Sequence, residues 1–249
     1  MQSATPLSKD SWSNLHAIRQ WFDTELGLHV LDTEAALLDQ LLPAMFGYHL
    51  AQFSVQERPL FSSSNIRNKF CFSLDSSSQN KVIASPVNLP LTDDSIDVML
   101  IHHLLDFSDS IQEILHEVSR VVMPMGHVVL MGFNPVSMWG FWKAIARHSG
   151  HAPWNGRFSR PGLLMDYLNL LDFKIDRAQY AIYGPPVARW SRRVNDYSKG
   201  VSRRLNLPFG SVYLIVAQKH VASMRAVKPI WNNRRPLGRL TAVQSVRHY

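Results

Sequence analysis

The chain has 249 residues, 46% of them hydrophobic and 18% charged, with one cysteine and a formal net charge of +7. Those figures exclude global disorder and leave enough apolar mass for a sizeable core. Cys71 alone cannot staple a secreted scaffold and no Cys/His cluster has zinc-ligand spacing, so a reducing cytoplasm and no metal are expected.

Met1 to Asp10 shows no apolar run behind a basic stretch, so no secretory signal is expected. Trp12, Leu15, Ile18, Trp21 and Phe22, then Leu37, Leu38, Leu41 and Leu42, recur at helical steps and predict two helices before Met45. Pro43 and Gly47 close that region, and His49 to Val55 reads as a first strand. Short strands follow at Phe70 to Leu74 and Lys81 to Ala84. Only Ser76 to Asn80 separate the last two, too few for a parallel crossover, so either they form a hairpin or one is not a sheet strand.

Ile96 to His102 is a buried strand by its β-branched run. Ser110 with Glu113 offers a capping box for the next helix, whose inner stripe is Ile111, Ile114, Leu115 and Val118 and which Pro124 and Gly126 end. Val128 to Gly132 is a further strand, Val136 to Arg147 a helix with Trp139 and Trp142, and Arg160 to Leu171 a helix opened by Pro161. Phe173 to Ile182 and Ser211 to Gln218 are final strands that could pair as an edge hairpin. No charged residue lies between Arg120 and Lys143, but Pro124, Gly126, Gly132 and Pro135 break that stretch, so no membrane span is expected. Alternating strands and helices with long crossovers give an α/β fold class with parallel strands.

The organisation read from this is N-terminal helices over 1–45, an α/β domain over 46–220 and a basic, flexible tail over 221–249. The tail holds Arg225, Lys228, Arg234, Arg235, Arg239 and Arg247 without an acid, and Arg189 to Arg204 form a second basic run. Such clusters attract polyanions, so nucleic acid is a candidate partner for segments 189–204 and 225–247.

In open parallel sheets ligands bind beyond the carboxyl ends of the strands. Near those ends, Leu89-Pro90-Leu91 precedes Asp94-Ser95-Ile96-Asp97, and His103-Leu104-Leu105 follows the strand. Glu117, Arg120 and Val121 then lead to Pro124 and Gly126. In combination these residues resemble the central part of class I S-adenosylmethionine-dependent methyltransferases, of the branch called methyltransferase type 11. The amino-terminal and Phe133-Asn134-Pro135 neighbourhoods are similar to a bacterial subgroup of methyltransferase-like proteins.

The resemblance implies a Rossmann-like, mostly parallel seven-stranded sheet with an antiparallel last strand and helices on both faces. It also implies S-adenosylmethionine as cofactor and methyl transfer to an unidentified acceptor. It places Phe53, Ser54, Asp75, Ser85, Pro86, Asn88, Leu89 and His102 near the cofactor, with Asp75 on the ribose and Ser85 where the family carries an acid facing the adenine. His102 and His103 are the candidate catalytic bases, since imidazole titrates near neutral pH. Phe133, Asn134 and Trp139 are the candidate substrate contacts, although Asn134-Pro135 also reads as a turn and Trp139 as core.

The sequence departs from the family at the first loop, Phe53-Ser54-Val55-Gln56-Glu57-Arg58-Pro59, which lacks the glycines that let a backbone pass close to a cofactor. A second reading is therefore a catalytically inactive methyltransferase-like protein that binds nucleic acid or a protein through its basic helix and tail. A hydride-transferring dehydrogenase, which needs a Gly-rich turn for pyrophosphate, is a weaker third.

Overall fold

A computed structural model describes residues 9–74, 82–146, 152–186 and 206–220, with side chains from residue 16 onward. Five α-helices and seven β-strands are present among them. Helices α1 (Lys9–Phe22) and α2 (Glu25–Leu41) precede β1 (His49–Ser54), β2 (Asn68–Ser73), β3 (Val82–Ile83) and β4 (Ile96–His102). Then come α3 (Ile111–Val121), β5 (Val122–Phe133), α4 (Met138–Ala146), α5 (Pro161–Leu170), β6 (Phe173–Ala181) and β7 (Val212–Lys219).

The strands form one sheet in the order β3-β2-β1-β4-β5-β7-β6. Strands β3 to β5 pair parallel with their neighbours, and β7 runs antiparallel between β5 and β6. The strand order reverses between β1 and β4, so their carboxyl ends flank the natural binding crevice of such a sheet.

Side chains alternate between the two faces, as a two-residue period demands. Val98 and Leu100 of β4 join Leu50, Val129, Met131, Leu214 and Val216 on one face, which Leu38, Leu41 and Leu42 cover. Met99 and Ile101 join Ala51, Phe53, Val128, Leu130 and Ile215 on the other, under Ile114, Leu115 and Val118 of α3 and Leu164 and Leu168 of α5. The upper end of α2 turns from the sheet face towards the strand tips, where Val30, Leu31 and Glu34 are buried.

Three local expectations need correction. Strands β2 and β3 pair parallel, Phe72 opposite Val82 and Ser73 opposite Ile83, so they form no hairpin. The short connection suffices because β3 is a two-residue edge strand and has no long register to reach. Ser110 stands at the N-cap of α3 but makes no side-chain cap hydrogen bond, because its backbone (φ −106°, ψ 47°) lies outside the extended region a capping side chain uses. Pro124 and Gly126 do not end α3. The helix stops at Val121 and they lie inside β5, where the pairing with β4 shifts register between Ile96 and Val98 and Met125 takes φ +66°. The basic segments 189–204 and 225–247, the tail and Asp75 lie outside the described residues.

Candidate active site

The tips of β1, β4 and β5 are covered by α1. Arg19 Nε donates to the Val55 carbonyl at 2.9 Å, just past β1. Phe22 packs on His102 and His103, with ring centroids 5.7 and 5.4 Å apart, and Trp21 meets Phe133 and Trp139 edge-on. Helix α1 reaches this position because Thr24 caps α2, its hydroxyl accepting from Gly27 N, and Gly27 lies so close to Trp21 and Phe22 that a Cβ there would clash with their backbone.

Beneath that cover four ionisable side chains form a chain of hydrogen bonds, all of them fully buried. Glu34 of α2 faces two adjacent histidines at once, with Oε2 2.8 Å from His102 Nε2 and Oε1 2.7 Å from His103 Nε2. The outer nitrogen of each ring is also held: His102 Nδ1 lies 2.8 Å from Ser54 Oγ and His103 Nδ1 2.9 Å from Asp106 Oδ2. Asp106 accepts further bonds from Phe133 N and Ser159 N, and Ser54 Oγ accepts from Gln56 N. Two neighbouring histidines reach one carboxylate because β4 ends at His102 and His103 adopts φ +52°, a left-handed kink that turns its ring back towards α2.

The charges follow from this geometry. Burial disfavours a proton on His103, but Glu34 and Asp106 outweigh it and raise its pKa to about 9. Burial likewise pushes Glu34 up, but the two histidines pull it down to about 2. His102 is lowered by burial despite Glu34. The network thus holds an imidazolium at His103, a carboxylate at Glu34 and a neutral His102 that donates from Nε2 and accepts the Ser54 hydroxyl proton at Nδ1.

Glu34, His102 and His103 are also, among the described residues, the one group whose ligand atoms converge closely enough for a metal ion. In the protonation state above both Nε2 atoms carry protons aimed at Glu34, so an ion would have to displace two protons. The donor set as folded is a proton-holding network.

The remaining candidates separate into three places. Phe53 is packed against Phe72 in the core. The Ser85–Asn88 turn closes through Asn88 N to Ser85 O, with Ser85 half-buried, Pro86 buried and Asn88 exposed. Leu89 N donates to Glu117 Oε1 at 2.7 Å, while Arg120 bonds Glu117, Asp93 and the carbonyls of Leu89 and Leu91. The Glu117/Arg120 pair therefore staples the Leu89–Leu91 loop to α3.

Phe133 stacks between His103 and Phe158, and Trp139 is buried with its Nε1 donating to Gly184 O. Asn134 bonds the carbonyls of Pro208 and Gly210, and also borders a cleft of about 830 Å³ at the carboxyl end of β5. Phe158, Arg160, Leu163, Asp166 and Tyr180 line that cleft with it.

Sequence reasoning had missed Glu34 and Asp106. Glu34 left a signal, because it sits on the buried stripe Gly27, Val30, Leu31, Leu38 and Leu41, where a lone carboxylate needs a partner. Asp106 left none, since it is tied to the kinked residue His103 just past β4, to the end of β5 and to residue 159.

Comparison with known proteins agrees with the architecture. The family described as "Methyltransferase domain" matches residues 65–130. Uncharacterized protein YafS of Escherichia coli (strain K12) is 32% identical over 182 residues, which is 69% of this chain and 68% of that protein. A solved S-adenosylmethionine-dependent methyltransferase of Thermotoga maritima, a possible histamine N-methyltransferase, superposes over 83% of this chain and 99% of its own, with TM-score 0.59 and 17% identity. A second, from Archaeoglobus fulgidus, covers 76% of this chain and 94% of its own, with TM-score 0.54 and 17% identity. At that identity the structural likeness speaks for the fold.

Proposed function

We propose, from a chain that belongs to the class I S-adenosylmethionine-dependent methyltransferases, a donor crevice along the tips of β1 to β4 and an acceptor entrance at the carboxyl end of β5. The observation that carries this reading is the strand order with β7 antiparallel, which sets the reversal point between β1 and β4. S-adenosylmethionine is the methyl donor of the family, and it supplies an electrophilic methyl group that needs positioning more than a metal.

The fit of that donor to the described residues is uneven. Past β3, Ala84, Ser85 and Val87 are only half-buried, which leaves polar and apolar surface for a nucleoside. The ribose would be held by Asp75, and the adenine edge by Ser85. Past β1 and β4 the space is filled by the chain itself: Arg19 occupies the Val55 carbonyl, and Phe22, Glu34 and Ser54 enclose His102. With α1 in this position the methionine end of the donor does not fit the tips of β1 and β4. The role assigned to His103 is to hold a proton and orient Asp106, with His102 and Ser54 supporting the first loop. Asn134 lines the β5 cleft, Phe133 packs behind its lining residue Phe158, and Trp139 packs on Phe133.

Titration calorimetry of the full chain with S-adenosylmethionine and its demethylated product tests the reading. Saturable heat is expected, and Asp75→Asn should weaken binding on the order of tenfold by removing a charged hydrogen bond. No heat at millimolar ligand overturns the donor. The filled tips of β1 and β4 favour, as a second reading, a non-catalytic relative that has kept the sheet, and the silent titration is what it requires.

A further inference from the structure

The cleft at the carboxyl end of β5 carries charge of both signs on a fixed frame. Its lining residue Phe158 is held by Phe133, with ring centroids 5.0 Å apart, and by Lys143, whose Nζ stands 4.2 Å from the ring centroid. Asp106 pins the segment that carries Phe158 on both sides. Its carbonyl accepts from Arg157 N at 2.6 Å, and its carboxylate Oδ1 accepts from Ser159 N at 3.4 Å. Helix α5 and its N-cap residue Arg160 supply further lining through Gly162, Leu163 and Asp166.

Arg157 pairs with Asp109 at 2.7 Å, so its charge is already met. The side chains of Arg160 and Asp166 have no hydrogen-bond or ion-pair partner among the described residues. Beside Arg160 lie further donors. Ser159 is 6% exposed and lines the cleft, yet its hydroxyl has no hydrogen-bond partner among the described residues. Gly162 and Leu163 belong to the first turn of α5, which has no side-chain cap, and a Cβ on Gly162 would meet nothing within 4 Å, so that turn opens on free space. Asp166 follows Gly162 by four residues and so lies on the same face of α5, roughly 6 Å further along its axis. The cleft thus presents a guanidinium, a hydroxyl and backbone N–H groups one helical turn from a carboxylate, with Phe158, Leu163 and Tyr180 as apolar surface.

We propose that the β5 cleft binds a small amphoteric molecule, an apolar body bearing a carboxylate and an ammonium about one helical turn apart, with the carboxylate on Arg160, Ser159 and the first turn of α5 and the ammonium on Asp166. The proposal names the class of acceptor for the entrance placed at β5, and it rests on that placement. A simple anion would leave Asp166 without a partner, and a simple cation would leave Arg160 and the α5 amides without one, so either forfeits a charge-assisted hydrogen bond. A polyanion such as nucleic acid would set phosphates against Asp166. The volume of about 830 Å³ is that of a site for one small molecule.

Titration calorimetry of the full chain with para-aminomethylbenzoate, para-toluate and para-methylbenzylamine tests the proposal, since these probes share one ring and differ in the charges they carry. The amphoteric probe is expected to bind at least about tenfold more tightly than either singly charged one. Arg160→Gln should lower its affinity to that of the amine, and Asp166→Asn to that of the acid. Both side chains are exposed, and an unchanged circular-dichroism melt verifies that each variant folds. Comparing the probes on the unaltered chain decides the matter even where a substitution unfolds it. Silence of every probe at millimolar concentration overturns the proposal, as does equal binding of the amphoteric probe and a singly charged one, or an affinity that neither variant changes. Heat from S-adenosylmethionine with silent probes removes the amphoteric ligand and leaves the donor. A tight amphoteric probe with a silent donor keeps the cleft as a binding site and removes the methyl transfer.

Discussion

A buried carboxylate that serves two histidines makes stability depend on pH from both sides. His103 has a folded pKa of about 9 against an ordinary 6.5, so its contribution is full below pH 6.5 and is lost as pH rises through about 9. His102 is depressed by burial, so acid that protonates it in the unfolded chain below pH 6.5 favours unfolding. Glu34, held at about 2 against 4.5, contributes above pH 4.5 and is lost as pH falls towards 2. Urea unfolding is therefore expected to show maximal stability near pH 6 to 7, with an alkaline decline of about 3 kcal/mol from the network. In His103→Gln that alkaline limb should flatten, and a limb that persists would place the titration elsewhere. Glu34→Ala leaves both rings aimed at an empty position and should cost roughly 3–5 kcal/mol, whereas the isosteric Glu34→Gln keeps hydrogen-bonding capacity and should cost less. If the two variants melt alike, the amide's hydrogen bonds do not replace those of the carboxylate and the prediction fails. His102 and His103 were visible in the sequence as a pair at a strand end. Their engagement with α2 was not, because it depends on a contact 68 and 69 residues away.

Among the elements, those whose residues interact locally were the legible ones. Strand β4 is bounded as its apolar run between turn residues predicts, and α3 shows the stripe its spacing predicts. Strands β2 and β3 were harder, since their parallel pairing is set by neighbours on an edge and not by the length of the connection. The charged motif in α3 was legible by resemblance, but its purpose came from coordinates. The Arg120 guanidinium binds Glu117 through two nitrogens and also reaches the Leu89 and Leu91 carbonyls, fastening the loop past β3 to α3. Arg120→Ala should destabilise by about 1–2 kcal/mol and speed amide exchange at Leu89 and Leu91. Arg120→Lys should fail to restore either, because an ammonium cannot present a planar fork. Rescue by lysine would mean that charge alone holds the loop.

At the scale of the whole molecule, the sheet offers a crevice and the amino-terminal helix occupies its middle. The attachments of α1 there are of unequal strength. Phe22 and Trp21 bury aromatic surface, whereas the Arg19–Glu57 contact is long, at 3.7 Å, with Glu57 half exposed, and is worth little. The Arg19–Val55 hydrogen bond is a directional link, and it occupies a backbone acceptor of the first loop. A donor that needs this position must wait for α1 to withdraw, so its association rate should level off with concentration at the opening rate of the helix. Stopped-flow fluorescence of the full chain with S-adenosylmethionine reads this directly, since Trp21 stands in the moving segment. Arg19→Ala should raise the plateau several-fold and leave the dissociation rate of the nucleoside end nearly unchanged. A rate that stays linear in concentration and identical in both proteins would show that the donor reaches its crevice past β2 and β3 with α1 in place. The glycine-free first loop would then have been relieved of contact with the donor, and the buried histidine network would serve the fold alone.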